Sequence, residues 1–153
     1  QTLFILNDPP YGTERSYNGL RLAGALSKRE GEQVKVFLIG DAASCAKGHQ
    51  KVPQGYYNLE VMLHAVSRRG GEVGVCGSCM DARGITETEL AEGTHRSTVE
   101  QLTASDAILR AAGGRVLTMD GTDLLYGKRG QAEDADFANP WFVATGGFDP
   151  FGG

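Results

Sequence analysis

Two thiols stand three residues apart in Cys76-Gly77-Ser78-Cys79, directly after the short apolar run Val73-Gly74-Val75. A thiol so placed can attack an electrophile, carry a sulfur atom, or pair with its neighbour. Reactivity needs the thiolate, and a free cysteine with a pKa of about 8.5 is mostly protonated near neutral pH. Arg83, four residues beyond Cys79, is the cation placed to stabilise that anion, and Asp81 opposes it if it sits closer. The competing reading of Cys79 is a small packed residue in a tight turn. Cys76 reads as the end of a strand. It is either a resolving partner for Cys79 or a buried core residue. Zinc is disfavoured: two cysteines are half a structural site, and His49, His64 and His95 lack metal spacing with them. Cys45, in Ala43-Ser44-Cys45-Ala46, reads as a packed residue near the same end of the sheet.

The elements that must position these thiols follow from hydrophobic pattern. Leu3-Phe4-Ile5-Leu6 is a buried strand. Asn7 to Gly12 breaks it, and Thr13 is the predicted N-cap of a helix reaching about Arg29. Val34 to Ile39 is a second strand ended by Gly40-Asp41. After the loop Gly48 to Gly55, Leu59, Met62, Leu63 and Val66 mark one face of a helix closed by Gly70-Gly71. Glu72 to Val75 is the third strand and leads into a cysteine loop. Thr86-Glu87-Thr88-Glu89 has the form of a capping box opening a short helix. Gly93-Thr94-His95-Arg96 reads as a loop, Ser97 to Ala112 as a helix, and Arg115 to Met119 as a strand.

This alternation predicts an α/β fold whose mostly parallel sheet has about five strands and helices on both faces. Sites in such sheets lie beyond the carboxyl ends of the strands. The cysteine loop, Asn7 and Asp8 all fall there. Asn7 and Asp8 either orient substrate or simply form the turn before two prolines. Lys51 and Arg83 are the cations placed near the site, where they could stabilise a persulfide or sulfite-like anion, and the competing reading of Lys51 is a solvated surface residue. After Met119 the style changes. Asp120-Gly121 reads as a hairpin turn joining residues 116–119 to 124–126, so residues 1–119 form the predicted domain and 120–153 a C-terminal extension.

Composition narrows the function. A chain of 153 residues fits a single domain. Net charge is −4 with no basic stripe, which argues against nucleic acid as a partner. No apolar run is long enough to span a membrane, and no signal peptide is visible. Three cysteines are too few for a disulfide scaffold and point to a reducing compartment, hence a cytoplasmic protein. The glycines form neither G-x-G-x-x-G after a strand nor a P-loop, so no nucleotide or other cofactor is expected.

Several segments in order resemble the DsrE family, and within it the YchN-like branch, over residues 2 to about 103. They are Asn7-Asp8-Pro9-Pro10-Tyr11-Gly12, Tyr17 to Ala23, Phe37 to Ala42, Gly55-Tyr56-Tyr57-Asn58, and Cys76 to Gly84. The resemblance implies a three-layer α/β fold, a homo-oligomer (trimer or hexamer), and intracellular sulfur relay through persulfides with donor and acceptor proteins. Cys79 takes the place of the family's reactive cysteine. The alternatives are a dithiol oxidoreductase using Cys76 and Cys79, and a non-enzymatic oligomeric binding or scaffold protein. The tail resembles another family. Ala107 to Leu117, Leu125-Tyr126-Gly127-Lys128 and Asn139 to Ala144 are similar to the ends of inositol-monophosphatase-like enzymes of the CysQ type. That family's upstream metal-binding carboxylates are absent, and Glu100-Gln101 replaces its Trp-Asp pair. Phosphatase activity and its metals are therefore not carried over.

Overall fold

The computed structural model describes residues 1–104, and the backbone of 115–118 and 142–145. The elements are β1 (Thr2–Leu6), α1 (Arg15–Leu26), β2 (Val34–Leu38), a 3-10 segment (Gly40–Ala46), α2 (Leu59–Ser67) and β3 (Glu72–Cys76). They continue with α3 (Gly77–Asp81), a 3-10 turn (Glu87–Glu89), β4 (Thr94–Ser97), a helix starting at residue 99, β5 (Arg115–Thr118) and β6 (Phe142–Thr145).

The six strands make one sheet in the order β4-β3-β2-β1-β6-β5. β1 to β4 are mutually parallel, whereas β6 runs antiparallel to both β1 and β5. Because successive side chains alternate across a strand, each strand feeds two faces. Phe4, Leu6, Val34, Val36, Leu38, Val73 and Val75 enter the larger core, where α1 adds Leu20 and Ala23 and α2 adds Leu59, Leu63 and Val66. Leu3, Ile5, Phe37 and Cys76 face the other way and meet Leu102 of the helix that starts at 99. The sheet thus carries helix on both faces, as the alternation of elements predicts. Among the described residues, no helix is long and apolar enough to cross a membrane.

Local chemistry sets the ends of the elements. The Asn58 side chain accepts from the Val61 N–H and caps α2. Gly70, at φ 82, makes the left-handed turn that stops it. The expected capping box is present as a hydrogen bond from the Thr86 N–H to the Glu89 carboxylate at 3.0 Å, but the helix it opens is a single 3-10 turn.

Several expectations are corrected. Thr13 is not the cap of α1. Its hydroxyl donates to the Asp8 carboxylate, a stronger acceptor than it would be itself, and Glu14 at φ 57 precedes the helix, which ends at Leu26. The cysteine loop is not a loop: β3 runs straight into α3, so Cys76 ends the strand and Cys79 lies within the helix. Residues 94–97 are a strand, not a loop. β4 is an edge strand with three of its four residues outside the core, so no apolar alternation announces it. Ser97 belongs to that strand, and the next helix begins only after Thr98. There the Thr98 N–H donates to the Gln101 side-chain oxygen (2.9 Å), and the Gln101 N–H donates to the Thr98 hydroxyl (3.2 Å). Among the described residues the sheet has six strands rather than about five, because residues 142–145 insert between β1 and β5. The strand expected near 115–119 is present as β5, paired with β6. Its expected hairpin partner, 124–126, lies outside the described residues, as does the helix expected over 105–112.

Candidate functional site

The site is assembled by backbone hydrogen bonds that tie together the carboxyl ends of β1 and β2. The Ile39 N–H donates to the Leu6 carbonyl (2.9 Å) and the Ala42 N–H to the Asn7 carbonyl (3.1 Å). Between them Gly40 adopts φ 60, a conformation that glycine reaches without steric cost. That turn aims the Gly40 N–H at the Cys79 sulfur, 3.1 Å away. Cys79 itself is half-buried, whereas Cys76 is only 2% exposed.

Arg83 lies where its spacing from Cys79 placed it, but it does not touch the sulfur. Its Nη1 donates to the Cys79 carbonyl oxygen (3.0 Å) and its Nη2 pairs with the Asp41 carboxylate. The guanidinium thus fastens the end of α3 to the turn that carries Gly40. Its charge also acts on Cys79. Burial pushes the Cys79 thiol up, and a hydrogen bond with Cys76 adds to that, while the Gly40 amide and the Arg83 charge pull it down, leaving it above the ordinary range. Cys76 moves the other way. Burial would raise it, but hydrogen bonds with Ser78 and Cys79 outweigh the desolvation. Opposite shifts in the two thiols of one short segment mean that they titrate as a pair. The first proton leaves readily because the remaining S–H donates to the thiolate, and the second is held back by like charge.

Replacing Arg83 by methionine removes one of the two groups that favour the Cys79 anion. The expected outcome is slower iodoacetamide labelling of Cys79 at pH 7 and a labelling midpoint moved to higher pH. Unchanged rate and midpoint would show that the Arg83 charge does not reach the sulfur.

The remaining sequence candidates are structural in their contacts. Asn7 contributes its backbone carbonyl to the turn that holds Gly40. Asp8 organises its own loop: its carboxylate accepts from Thr13 and pairs with Arg15 at 3.6 Å, and its carbonyl accepts from the Ser16 hydroxyl at 2.6 Å. Asp81 is held by a two-pronged pair with Arg96, at 2.8 and 2.6 Å, which lowers its pKa. Arg96 lies over Gly77, where an added Cβ would come within 2.7 Å of the guanidinium. Lys51 is not brought to Cys79. It lines an open cleft of about 390 Å³ with Pro10, Tyr11, Gln50 and Tyr56, and Cys79 is not part of that wall. His64 and His95 face Glu92 and Glu72 at 3.8 and 3.7 Å. Among the described residues, no three His, Cys, Asp or Glu side chains converge as a metal site.

Gly40, Asp41 and Arg96 are the residues sequence reasoning missed. They lie 39, 42 and 15 positions from their partners Cys79, Arg83 and Asp81, so no local spacing reveals them.

Cys45 is fully buried, its sulfur 3.8 Å from the Asp8 carbonyl, and burial pushes its thiol up to about 12. In native protein at pH 8, iodoacetamide is expected to leave Cys45 unmodified after Cys79 is fully labelled, and denaturant to expose it. Peptide mapping checks this, and equal labelling of the two in native protein would contradict it.

Comparison with known proteins agrees with this architecture. An uncharacterized protein of Methanopyrus kandleri is 38% identical over 98 residues, covering 64% of this chain and 79% of its own. Protein YchN of Escherichia coli K12 is 35% identical over 101 residues, covering 65% of this chain and 86% of its own. The crystal structure of the E. coli YchN protein superposes with a TM-score of 0.63 at 34% identity, over 67% of this chain and 87% of that one. A protein of unknown function from Methanobacterium thermoautotrophicum shares the fold at 13% identity and a TM-score of 0.54, over 69% of this chain and 89% of its own. The profile of the DsrE/DsrF-like family matches residues 1–111, and the chain belongs to that family.

Proposed function

We propose that this protein carries sulfur as a persulfide on Cys79. The observation that carries the reading is the Gly40 N–H donated to a half-exposed Cys79 sulfur at the carboxyl end of the sheet. A backbone amide fixed by the fold stabilises a thiolate, and equally the anion of a persulfide. In the loading step Cys79 first gives up the proton that its burial favours, and the resulting thiolate attacks the outer sulfur of a donor persulfide. The donor's S–S bond breaks, its electron pair leaves on the donor thiolate, and Cys79 holds the transferred sulfur. Arg83 supports the anion through its charge and by fixing α3, while Asn7 and Asp8 shape the rim through their loop. The chemistry needs no organic cofactor and no metal.

Membership of a homo-oligomer, trimer or hexamer, belongs to the same reading, as do protein donors and acceptors of sulfur in the cytoplasm. Exposed apolar side chains, among them Leu22 of α1, Val61 of α2 and Tyr56, support self-association. A second reading, a dithiol oxidoreductase, is favoured by the packing of Cys79 against the small cluster that contains Cys76. It needs both thiols, whereas carriage needs Cys79 alone.

Intact mass after incubation with glutathione persulfide tests the proposal. A gain of one sulfur that survives Cys76→Ser supports carriage. Loss of two hydrogens without any sulfur-loaded form supports the oxidoreductase. No change in any variant would leave a binding or scaffold role.

A further inference from the structure

We infer that Cys76 is a resolving thiol that discharges the Cys79 persulfide as sulfide; this rests on the carrier reading and adds a fate for the bound sulfur. The two cysteines of the chain's interior differ in a way that packing alone does not require. Cys45 and Cys76 are both small thiols buried in the core. Cys45 has a main-chain carbonyl of Asp8 as its sulfur's neighbour, and its thiol is held protonated. Cys76 has the Ser78 hydroxyl 3.3 Å from its sulfur, and the half-buried Cys79 packs against the same small cluster; both neighbours lower its pKa.

Topology puts these groups together. β3 ends at Cys76 and α3 begins at the next residue, so Cys79 returns one turn later to the face where Cys76 packs with Leu3, Ile5 and Phe37. At 2% exposure, Cys76 is closed to a protein partner or to a bulky donor. The electrophile it does meet is whatever Cys79 carries. Residue types agree with this division: the half-exposed thiol receives sulfur from outside, and the buried one acts on it from behind.

The step balances without an outside oxidant. The Cys76 thiolate attacks the inner sulfur of the Cys79 persulfide, that is, Cys79 Sγ. The bond from Sγ to the outer sulfur breaks and the outer sulfur leaves with the electron pair as HS⁻. A Cys76–Cys79 disulfide remains, with the sulfane sulfur reduced and the two thiols oxidised. A dithiol reductant restores both thiols for another round. Attack through a mixed sulfur–sulfur centre is ordinary thiol–disulfide exchange.

The test loads fully reduced protein with glutathione persulfide, removes the donor by desalting, and follows intact mass and free sulfide with time. In the wild type, the one-sulfur adduct is expected to decay to a form two hydrogens lighter than the reduced protein, with one sulfide released per chain. In Cys76→Ser and Cys76→Ala, the adduct should last at least about tenfold longer and release no matching sulfide. The pair of replacements separates loss of the thiol from any disturbance of the buried site, and circular dichroism confirms folding in each. Equal adduct lifetimes in wild type and both variants, with loading intact, would overturn the resolving role and leave the carrier reading standing. Failure of every protein to load would overturn both.

Discussion

Cys79→Ser protein is expected to take up no sulfur from a persulfide donor, while its fold and its other thiols remain as in the wild type. A hydroxyl cannot form a persulfide, so the loss is complete and not a fractional slowing. Serine nevertheless suits the position. Its oxygen can accept the Gly40 N–H that the cysteine sulfur accepts at 3.1 Å, and Cys79 meets the core only as a partly buried side chain at its edge. The change in stability should therefore stay within about 1 kcal/mol. Neither remaining cysteine can stand in for it, since Cys45 and Cys76 are buried at 0% and 2% exposure. Intact mass after donor treatment, beside a denaturation curve, checks both halves of the expectation. Uptake equal to the wild type in a folded Cys79→Ser protein would move the acceptor elsewhere.

Leu63→Ala is expected to have the largest effect on stability. Leu63 is fully buried in α2 and belongs to the main core with Leu59, Val66 and the inward residues of β2 and β3. Truncation removes apolar atoms from that core and leaves a cavity that flanking strands cannot collapse to fill, which costs about 2–5 kcal/mol. For a domain of this size the urea midpoint should fall by about 1–2 M. Sulfur uptake in buffer should persist, because Leu63 makes none of the backbone bonds that hold Gly40 against Cys79. A midpoint shift below about 0.5 M would mean that the core repacks around the gap.

The parts of the fold that show in the sequence are those whose residues carry their own pattern. β1, β2 and β3 are apolar runs, and α2 repeats its buried residues with helical spacing as Leu59, Leu63 and Val66. The Thr86–Glu89 box depends on residues three apart and is equally visible. β4 is hidden because an edge strand can be polar: His95 and Arg96 are exposed and meet Glu72 and Asp81, so nothing alternates. β6 is hidden for another reason. Its place between β1 and β5 is a tertiary pairing with residues far along the chain, which no short window contains.

The site divides along the same line. Cys76, Cys79 and Arg83 fall within one local segment, and their types and spacing identify them. The groups that govern Cys79 arrive from elsewhere. Gly40 supplies the amide from the end of β2, and Asp41 beside it takes the free arm of Arg83. Lys51, a cation of suitable sign in a nearby loop, illustrates the converse: charge type alone did not place it at the sulfur, and it lines a different wall.

The most direct measurement is the position of the transferred sulfur. Wild-type protein is loaded with glutathione persulfide, quenched at once with an alkylating agent, and cleaved after arginine, which releases residues 70–83 as one peptide. Fragmentation between Cys76 and Cys79 assigns the additional sulfur to one of them. The account requires it on Cys79, with Cys45 carrying none. Sulfur found first on Cys76 or on Cys45 would contradict it.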